Sequence, residues 1–351
     1  MDNEPNTPID PGEPKRLNGA MKVLRIALAV LVIAPALLGM IIWSAMAIYS
    51  PSVSCQPLRT ILAWAFGLGF LTAFVCLKNR RRTAICLIAV FALTLLWWLT
   101  LTPRNDRDWD PQVAVPPNAV INGDLITVSN IRNFEHRSAT DYTPRYYEKT
   151  YDLSKIQTLD FIICYWGDNR NTAHSMLSFG FADGEYLCLS VEARRNRGEE
   201  YSGIGGLFRK YELIYILADE RDMIRMRTNF RQERVYLYPL ISPPKNVRTL
   251  FLDIIKRVNE LKAAPEFYNT ITNNCTTTLA TSGRKILPPN PFDIRLLLNG
   301  RADRMAYDNG WINTKDSFEA TRKRHFINQY VKGEPNTKNF SQLIRPHLSD
   351  Q

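Results

Sequence analysis

The most reactive arrangement the chain offers is a cysteine at the start of a helix. Cys275 follows Asn273-Asn274 and opens a short helical stretch expected to run from near Cys275 to Gly283. Unpaired backbone N–H groups and the helix dipole at such a position stabilise a thiolate and lower its pKa. The same N–H groups suit an oxyanion, so Asn274 and Thr276 are candidates beside the sulfur. The competing reading is a buried structural cysteine behind an Asn cap.

A base is sought among only four histidines, His136, His174, His325 and His347. His174 lies in a strand pattern, Ala173 to Phe181, with Leu177, Phe179 and Phe181 on one face and His174, Met176 and Ser178 on the other. In the next strand pattern, Glu185 to Ala193, Leu187, Leu189, Val191 and Ala193 are apolar, with Tyr186, Cys188, Ser190 and Glu192 opposite. The apolar faces coincide in a hairpin only if the loop is odd in length, as with Ala182-Asp183-Gly184, and that register sets Glu192 directly across from His174. Cys275, His174 and Glu192 then form a set of nucleophile, base and orienting carboxylate. The plainer alternatives are a half-buried strand histidine and a solvated Glu192 near Arg194 and Arg195, with Asp183 the other carboxylate able to orient the base. Arg194 and Tyr201 are further candidates for substrate contact. His325, within Arg322-Lys323-Arg324-His325, and His347, in the tail, read as solvated surface.

Metal chemistry finds little support. No Cys-x-x-Cys, His-x-x-x-His or His-Glu-x-x-His spacing occurs, and no cofactor is called for. Gly203-Ile204-Gly205-Gly206 lacks the lysine of a phosphate loop and reads as a flexible loop beside the site. Cys76 and Cys86 fall in apolar runs and Cys55 in a short loop, which leaves an odd number of thiols, Cys164, Cys188 and Cys275, in the larger domain.

The elements that must position these residues are α+β. Strand-like runs are 118–128 with an Asn122-Gly123 turn, 159–166, 173–181, 185–193, 211–218 and 235–241. Val247, Leu250, Phe251, Ile254, Val258 and Leu261 recur at helical spacing after Ser242-Pro243-Pro244, which suits a cap and first turn. Residues 118–351 form a domain large enough to bury its own core.

Ahead of it lies a different solvent. No Asp or Glu occurs between Glu13 and Asp106, and 26–48, 60–77 and 83–101 are uncharged apolar runs near the ~20 residues that span a bilayer. Three transmembrane helices within 23–101 are expected, following a disordered cytoplasmic tail, 1–22, and followed by a linker, 102–117. A cleaved signal peptide is the alternative for the first run, but its apolar stretch exceeds the usual ~7–15 residues. Lys15, Arg16, Lys22, Arg25 and the Lys78-to-Arg82 loop place both basic flanks in the cytoplasm, so the large domain is expected outside. Half of the net charge of +10 falls in the first 101 residues, with these flanks, which argues against a nucleic-acid reading.

Several separated motifs resemble the Lnb N-terminal periplasmic domain family: Asn130 to Phe134, Ala173-His174, Ser178 to Phe181, Ser190 to Arg194, Gly198 to Ser202, Tyr211 to Tyr215, Asp219 to Asp222, Tyr268 to Thr276, Gly310-Trp311 and Phe340 to Arg345. The likeness covers roughly 118–346. It implies a permuted papain-like fold, in which a strand His precedes an Asn-Cys at a helix start. It also implies thiol acyl transfer by Cys275 with His174 as base, on lipoprotein or membrane-lipid acyl chains at the outer face of the inner membrane. The family includes a lipoprotein intramolecular transacylase, which moves an acyl chain from the diacylglyceryl-Cys to the terminal amine. Here the membrane helices precede the domain, whereas in that enzyme they follow it. Acyltransferase and hydrolase are not separated by these residues. A cell-wall or peptide amidase of the same thiol class and a non-catalytic binding module are the other readings.

Overall fold

The computed structural model describes residues 13–52, 55–167, 170–288, 290, 293–331 and 339–346, with side chains from residue 21 onward. The first twelve residues and His347 lie outside the described residues. The chain divides into two compact units, Met1–Leu101 and Thr102–Gln351.

The first unit is helical. Helix α1 (Glu13–Leu28) passes through a π turn (Ala29–Ile33) into α2 (Ala34–Tyr49), followed by α3 (Gln56–Cys76) and α4 (Arg80–Thr100). The helix therefore starts at Glu13, within the stretch expected to be a disordered tail. Three helical stretches, Met21–Tyr49, Gln56–Cys76 and Arg80–Thr100, are long and apolar enough to cross a membrane. Arg59 closes the loop between α2 and α3 by donating to the carbonyls of Tyr49, Ser50 and Pro51 at 2.6–3.1 Å. Asn79 caps α4 by accepting from the Arg82 N–H.

The second unit is a mixed α/β domain. Its strands are β1 (Asn118–Asn122), β2 (Leu125–Arg132), β3 (Glu135–His136), β4 (Tyr142–Thr143), β5 (Tyr146–Asp152), β6 (Ile156–Tyr165), β7 (Ala173–Phe181), β8 (Tyr186–Arg194), β9 (Glu212–Ala218) and β10 (Arg234–Pro239). The main sheet runs β1-β2-β9-β8-β7-β6-β10, with β5 also paired to β2, and β3 and β4 form a separate ribbon. Strand β5 was not anticipated, because Tyr-Tyr-Glu-Lys-Thr-Tyr-Asp carries charges on an outward face and buries only Tyr151.

The hairpin that carries the site has the expected register. Leu177 opposes Leu189 and Ser178 opposes Cys188 in a ladder that ends at Met176 opposite Ser190, and just beyond it the His174 imidazole lies 3.2 Å from the Glu192 carboxylate. The loop is Ala182-Asp183-Gly184, with Gly184 at φ 79°, a conformation that costs glycine nothing. Helix α7 (Pro244–Ala263) lies on the apolar face of this hairpin and buries Val247, Leu250, Phe251, Ile254, Ile255, Val258 and Leu261. Phe251 meets Phe179 and Phe181 edge-on at ring distances of 5.1 and 6.0 Å. Its N-cap is Pro243 rather than Ser242, and no side chain caps it.

The other face of the sheet is also covered, so β7 is buried along its whole length. Met176, Cys188 and Ile216 there pack against Met223 and Ile224 of α6 (Glu220–Arg225) and against Phe340 and Ile344. The polar groups on that face are paired: Arg345 bonds Asp160 at 2.7 and 2.9 Å and Glu220 at 2.9 Å, and Ser178 donates to Glu220. Residues 102–117, expected as a free linker, are docked on this unit. Arg194 stacks on Trp109, donates to the carbonyls of Val113 and Ala114, and bonds Asn105 Oδ1. His325, expected to be solvated, is buried beneath the Tyr238 ring, because the basic run before it forms a helix end that turns it inward.

Replacing Phe251 with Ala removes the ring against which Phe179 and Phe181 of β7 pack. It is expected to destabilise the domain by about 3–5 kcal/mol, read as a lowered denaturation midpoint in detergent.

Candidate functional site

Helix α8 spans Cys275–Gly283, and its start is fixed by a reciprocal cap. Asn274 Oδ1 accepts from the Thr277 N–H and Thr277 Oγ1 accepts from the Asn274 N–H, each at 2.9 Å. Asn274 Nδ2 is also engaged, on the Thr270 carbonyl. The Asn274 side chain therefore sets the helix start, and the residue also lines the cavity described below. Thr276 Oγ1 and Ser175 Oγ share a bond of 2.9 Å that pins the helix to β7 next to His174. The backbone N–H groups of Cys275 and Thr276 occupy the helical positions that have no intrahelical acceptor.

Cys275 and His174 come together at this junction and line one cavity, close enough for each to shift the other's pKa. Both residues are buried. His174 Nε2 lies 2.6 Å from Ser190 Oγ and 3.2 Å from Glu192 Oε1, and Ser190 donates to the same Glu192 oxygen at 2.7 Å. With its own proton given to Glu192, Ser190 accepts from the ring, so Nε2 carries hydrogen and Nδ1 is the nitrogen left for sulfur. Arg227 Nη2 holds Glu192 Oε1 from the other side at 3.1 Å.

The charges follow from this geometry. Burial alone lowers the pKa of His174, but the Glu192 carboxylate and the Cys275 sulfur outweigh it and raise the imidazole to about 9. Burial raises the Cys275 thiol, and the adjacent imidazolium and the Ser175 N–H overcome that to leave it below its ordinary value. Glu192 is held well below the usual carboxylate range, its burial offset by His174 and Arg227. Cys164 and Cys188 show the contrast: there burial outweighs the charge of Arg227 and pushes both thiols up. Among the buried cysteines, a thiolate is favoured at Cys275.

Residues not anticipated from the sequence complete the site. Asn299 Oδ1 accepts from the Ala173 N–H at 3.0 Å, which fixes the amide so that Nδ2 faces the Cys275 sulfur at 3.7 Å. The turn bearing it (Asn299–Arg301) is held close because Gly300 has no side chain: a Cβ there would lie within 2.7 Å of the Asn171 and Thr172 backbone. Tyr165 donates to the Gly300 carbonyl at 2.9 Å. Nothing in the local pattern of 293–300 signals this, because the contact is made across the fold.

A cavity of about 390 Å³ opens onto Cys275, His174, Glu192 and Asn299. Tyr201 lines it, its hydroxyl 3.2 Å from that of Tyr268. Arg194 does not; its guanidinium holds residues 105–114, and Arg195 lines the cavity instead. Gly203 also lines it, within a short capped helix, α5 (Gly203–Leu207), rather than a flexible loop. Asp183 lies in the hairpin loop at the other end of β7 and pairs with Lys155. Among the described residues, no group of three or more His, Cys, Asp or Glu side chains could hold a metal ion.

The comparison with known families falls on this same stretch. Residues 142–300 match the family model of the Lnb N-terminal periplasmic domain. The Lnb match contains the four site residues His174, Glu192, Cys275 and Asn299, and is narrower than the 118–346 expected from the motifs. No curated protein and no solved structure matches the chain significantly. The Lnb match and the three N-terminal helices fit a membrane protein with a periplasmic domain.

Iodoacetamide is expected to label Cys275 at pH 7 faster than Cys164 or Cys188, measured by peptide mass spectrometry. In His174→Ala the labelling should slow at least tenfold at pH 7 and recover only as pH approaches the ordinary thiol range, because the cation that lowers the thiol pKa is gone.

Proposed function

We propose that this chain is a membrane-anchored thiol acyltransferase, with Cys275 as nucleophile, His174 as acid and base, and Glu192 as the group that orients and charges the imidazole. The observation that carries the reading is that Cys275 and His174 line one open cavity, with Ser190 and Glu192 on the far nitrogen of the imidazole, an arrangement that lowers the thiol pKa and raises the imidazole to about 9. The fold is read as permuted papain-like. The order strand-His, then Asn-Cys at a helix start, supports that reading.

In the proposed reaction the Cys275 thiolate attacks an ester carbonyl and forms the S–C bond. The tetrahedral oxygen is held by the Cys275 N–H and Asn299 Nδ2. His174 delivers its proton to the leaving alkoxide as the C–O bond breaks, which leaves a thioester and an alcohol. An acceptor amine then attacks, His174 takes its proton, and the amide departs as the thiolate is regenerated. Lipoprotein or lipid acyl chains are the proposed donors, at the outer face of the inner membrane with the amino terminus in the cytoplasm. The basic residues before α2 and between α3 and α4 support that orientation. An apolar recess of about 70 Å³, lined by Phe161, Leu177, Leu279 and Met305, adjoins the Ser175–Thr276 pair and supports an acyl substrate.

The arginines lining the main cavity favour keeping a second reading, an amidase of the same thiol class acting on a polar cell-wall peptide. The two differ in what they release. Detergent-solubilised protein incubated with a diacylated lipopeptide should shift an acyl chain to the terminal amine, seen by mass spectrometry, and Cys275→Ala or His174→Ala should abolish it. Release of a trimmed wall peptide without acyl movement would favour the amidase, and neither product nor a covalent adduct would remove both.

Two quantitative expectations accompany this mechanism. Asn299→Ala should lower kcat by about 10²–10³ while iodoacetamide still labels Cys275, because alkylation develops no oxyanion. Activity should fall as pH drops through the lowered pKa of Cys275, where sulfur protonates. It should fall again as pH rises through about 9, where the imidazolium loses the proton owed to the leaving group.

A further inference from the structure

The proposed chemistry leaves two charged side chains of the cavity without a task. Among the described residues that line it, the charged groups besides His174 and Cys275 are Arg132, Arg195, Arg227 and Arg231 against a single carboxylate, Glu192. Two of the four guanidiniums are committed. Arg132 is bonded twice to Asp222, at 2.9 and 3.1 Å, and Arg227 is bonded to Glu192 at 3.1 Å. Their side chains are only 5% and 4% exposed.

Arg195 and Arg231 are held differently. Arg195 Nη2 stands 3.5 Å from Asp110, while Arg231 donates to the neutral Gln112 amide oxygen at 3.1 Å and has Glu233 no nearer than 3.8 Å. Their side chains are 24% and 32% exposed, which puts them at the cavity's outer wall. Burial and the nearby Arg227 charge lower the pKa of Arg231, against the opposing carboxylates of Glu233 and Glu192. Both guanidiniums line the same cavity, and the guanidinium fork matches phosphate oxygens. In a glycerolipid a phosphate lies a few bonds from an acyl ester, and both arginines share one cavity with Cys275. A chain with three helices able to cross a membrane meets such lipids at its own surface.

We infer that Arg195 and Arg231 form a subsite for the phosphate of a glycerolipid, so that the acyl donor is a phosphate-bearing ester presented by the membrane. The inference rests on the acyltransferase reading for the word donor, but the subsite itself does not need catalysis to be tested.

The first arm measures iodoacetamide labelling of Cys275 in the full chain, in phosphate-free detergent, with glycerol, sn-glycerol 3-phosphate or inorganic phosphate added. Glycerol phosphate is expected to slow labelling at least fivefold, glycerol not at all, and inorganic phosphate less than glycerol phosphate. The double variant Arg195→Gln/Arg231→Gln should lose the protection, and so should the wild type at high salt. The second arm compares acyl adduct on Cys275 from phosphatidylglycerol and from uncharged diacylglycerol in the same micelles. Wild type should favour the phospholipid at least tenfold, and the double variant should bring the ratio near one.

No protection by glycerol phosphate, or protection unchanged in the double variant, overturns the subsite. Equal protection by inorganic phosphate, with an adduct ratio near one, shows a free-anion site and overturns the lipid assignment. Protection with no adduct from any ester leaves the subsite standing and removes the acyltransferase reading instead.

Discussion

The site depends on one electrostatic constraint: a cysteine and a histidine lie together in a buried position, where the charged form of each is favoured only by the charge of its neighbours. Burial opposes both charges, and neither would persist there alone. Three arrangements offset that cost. Glu192 and Ser190 hold the imidazole at Nε2, Arg227 in turn holds Glu192, and the Ser175 N–H favours the charged sulfur. Cys164 and Cys188, in the same sheet without such partners, are pushed the opposite way.

The fold delivers these groups through two rigid devices rather than through loops. One is the hairpin β7–β8, whose three-residue loop fixes register and so fixes which carboxylate faces His174. The other is the reciprocal Asn274–Thr277 cap, which determines where α8 begins and hence where the sulfur points. They are joined at the Ser175–Thr276 hydroxyl pair. Core packing on both sides of the sheet, by α7 on one face and by α6 with the Arg345 cluster on the other, keeps β7 from shifting relative to α8.

Much of this was legible in the sequence because it is governed by short-range rules. Period-two alternation and loop parity gave the pairing of His174 with Glu192, helical spacing marked the buried face of α7, and an Asn before a Cys-Thr-Thr-Thr run marked the start of α8. What escaped depends on contacts made across the fold. Asn299 reaches the sulfur from a turn with no periodic signal, docked only because Gly300 admits the backbone of 171–172. Arg227 arrives through a π turn, Met226–Phe230, that no spacing rule anticipates. Residues 102–117 looked like a polar linker, yet Trp109 beneath the Arg194 guanidinium ties them down. The basic run before His325 suggested solvent, while the ring turns inward against Tyr238.

The central claim is that Cys275 and His174 exist as an ion pair at neutral pH. Its most direct measurement is the ultraviolet thiolate absorbance of the detergent-solubilised protein as a function of pH, with the Cys275→Ala protein subtracted. The account predicts a difference signal already present at pH 7, lost on acidification, and much reduced at that pH in His174→Ala. A difference signal that emerges only above pH 9, or one unchanged by removal of the imidazole, would contradict it.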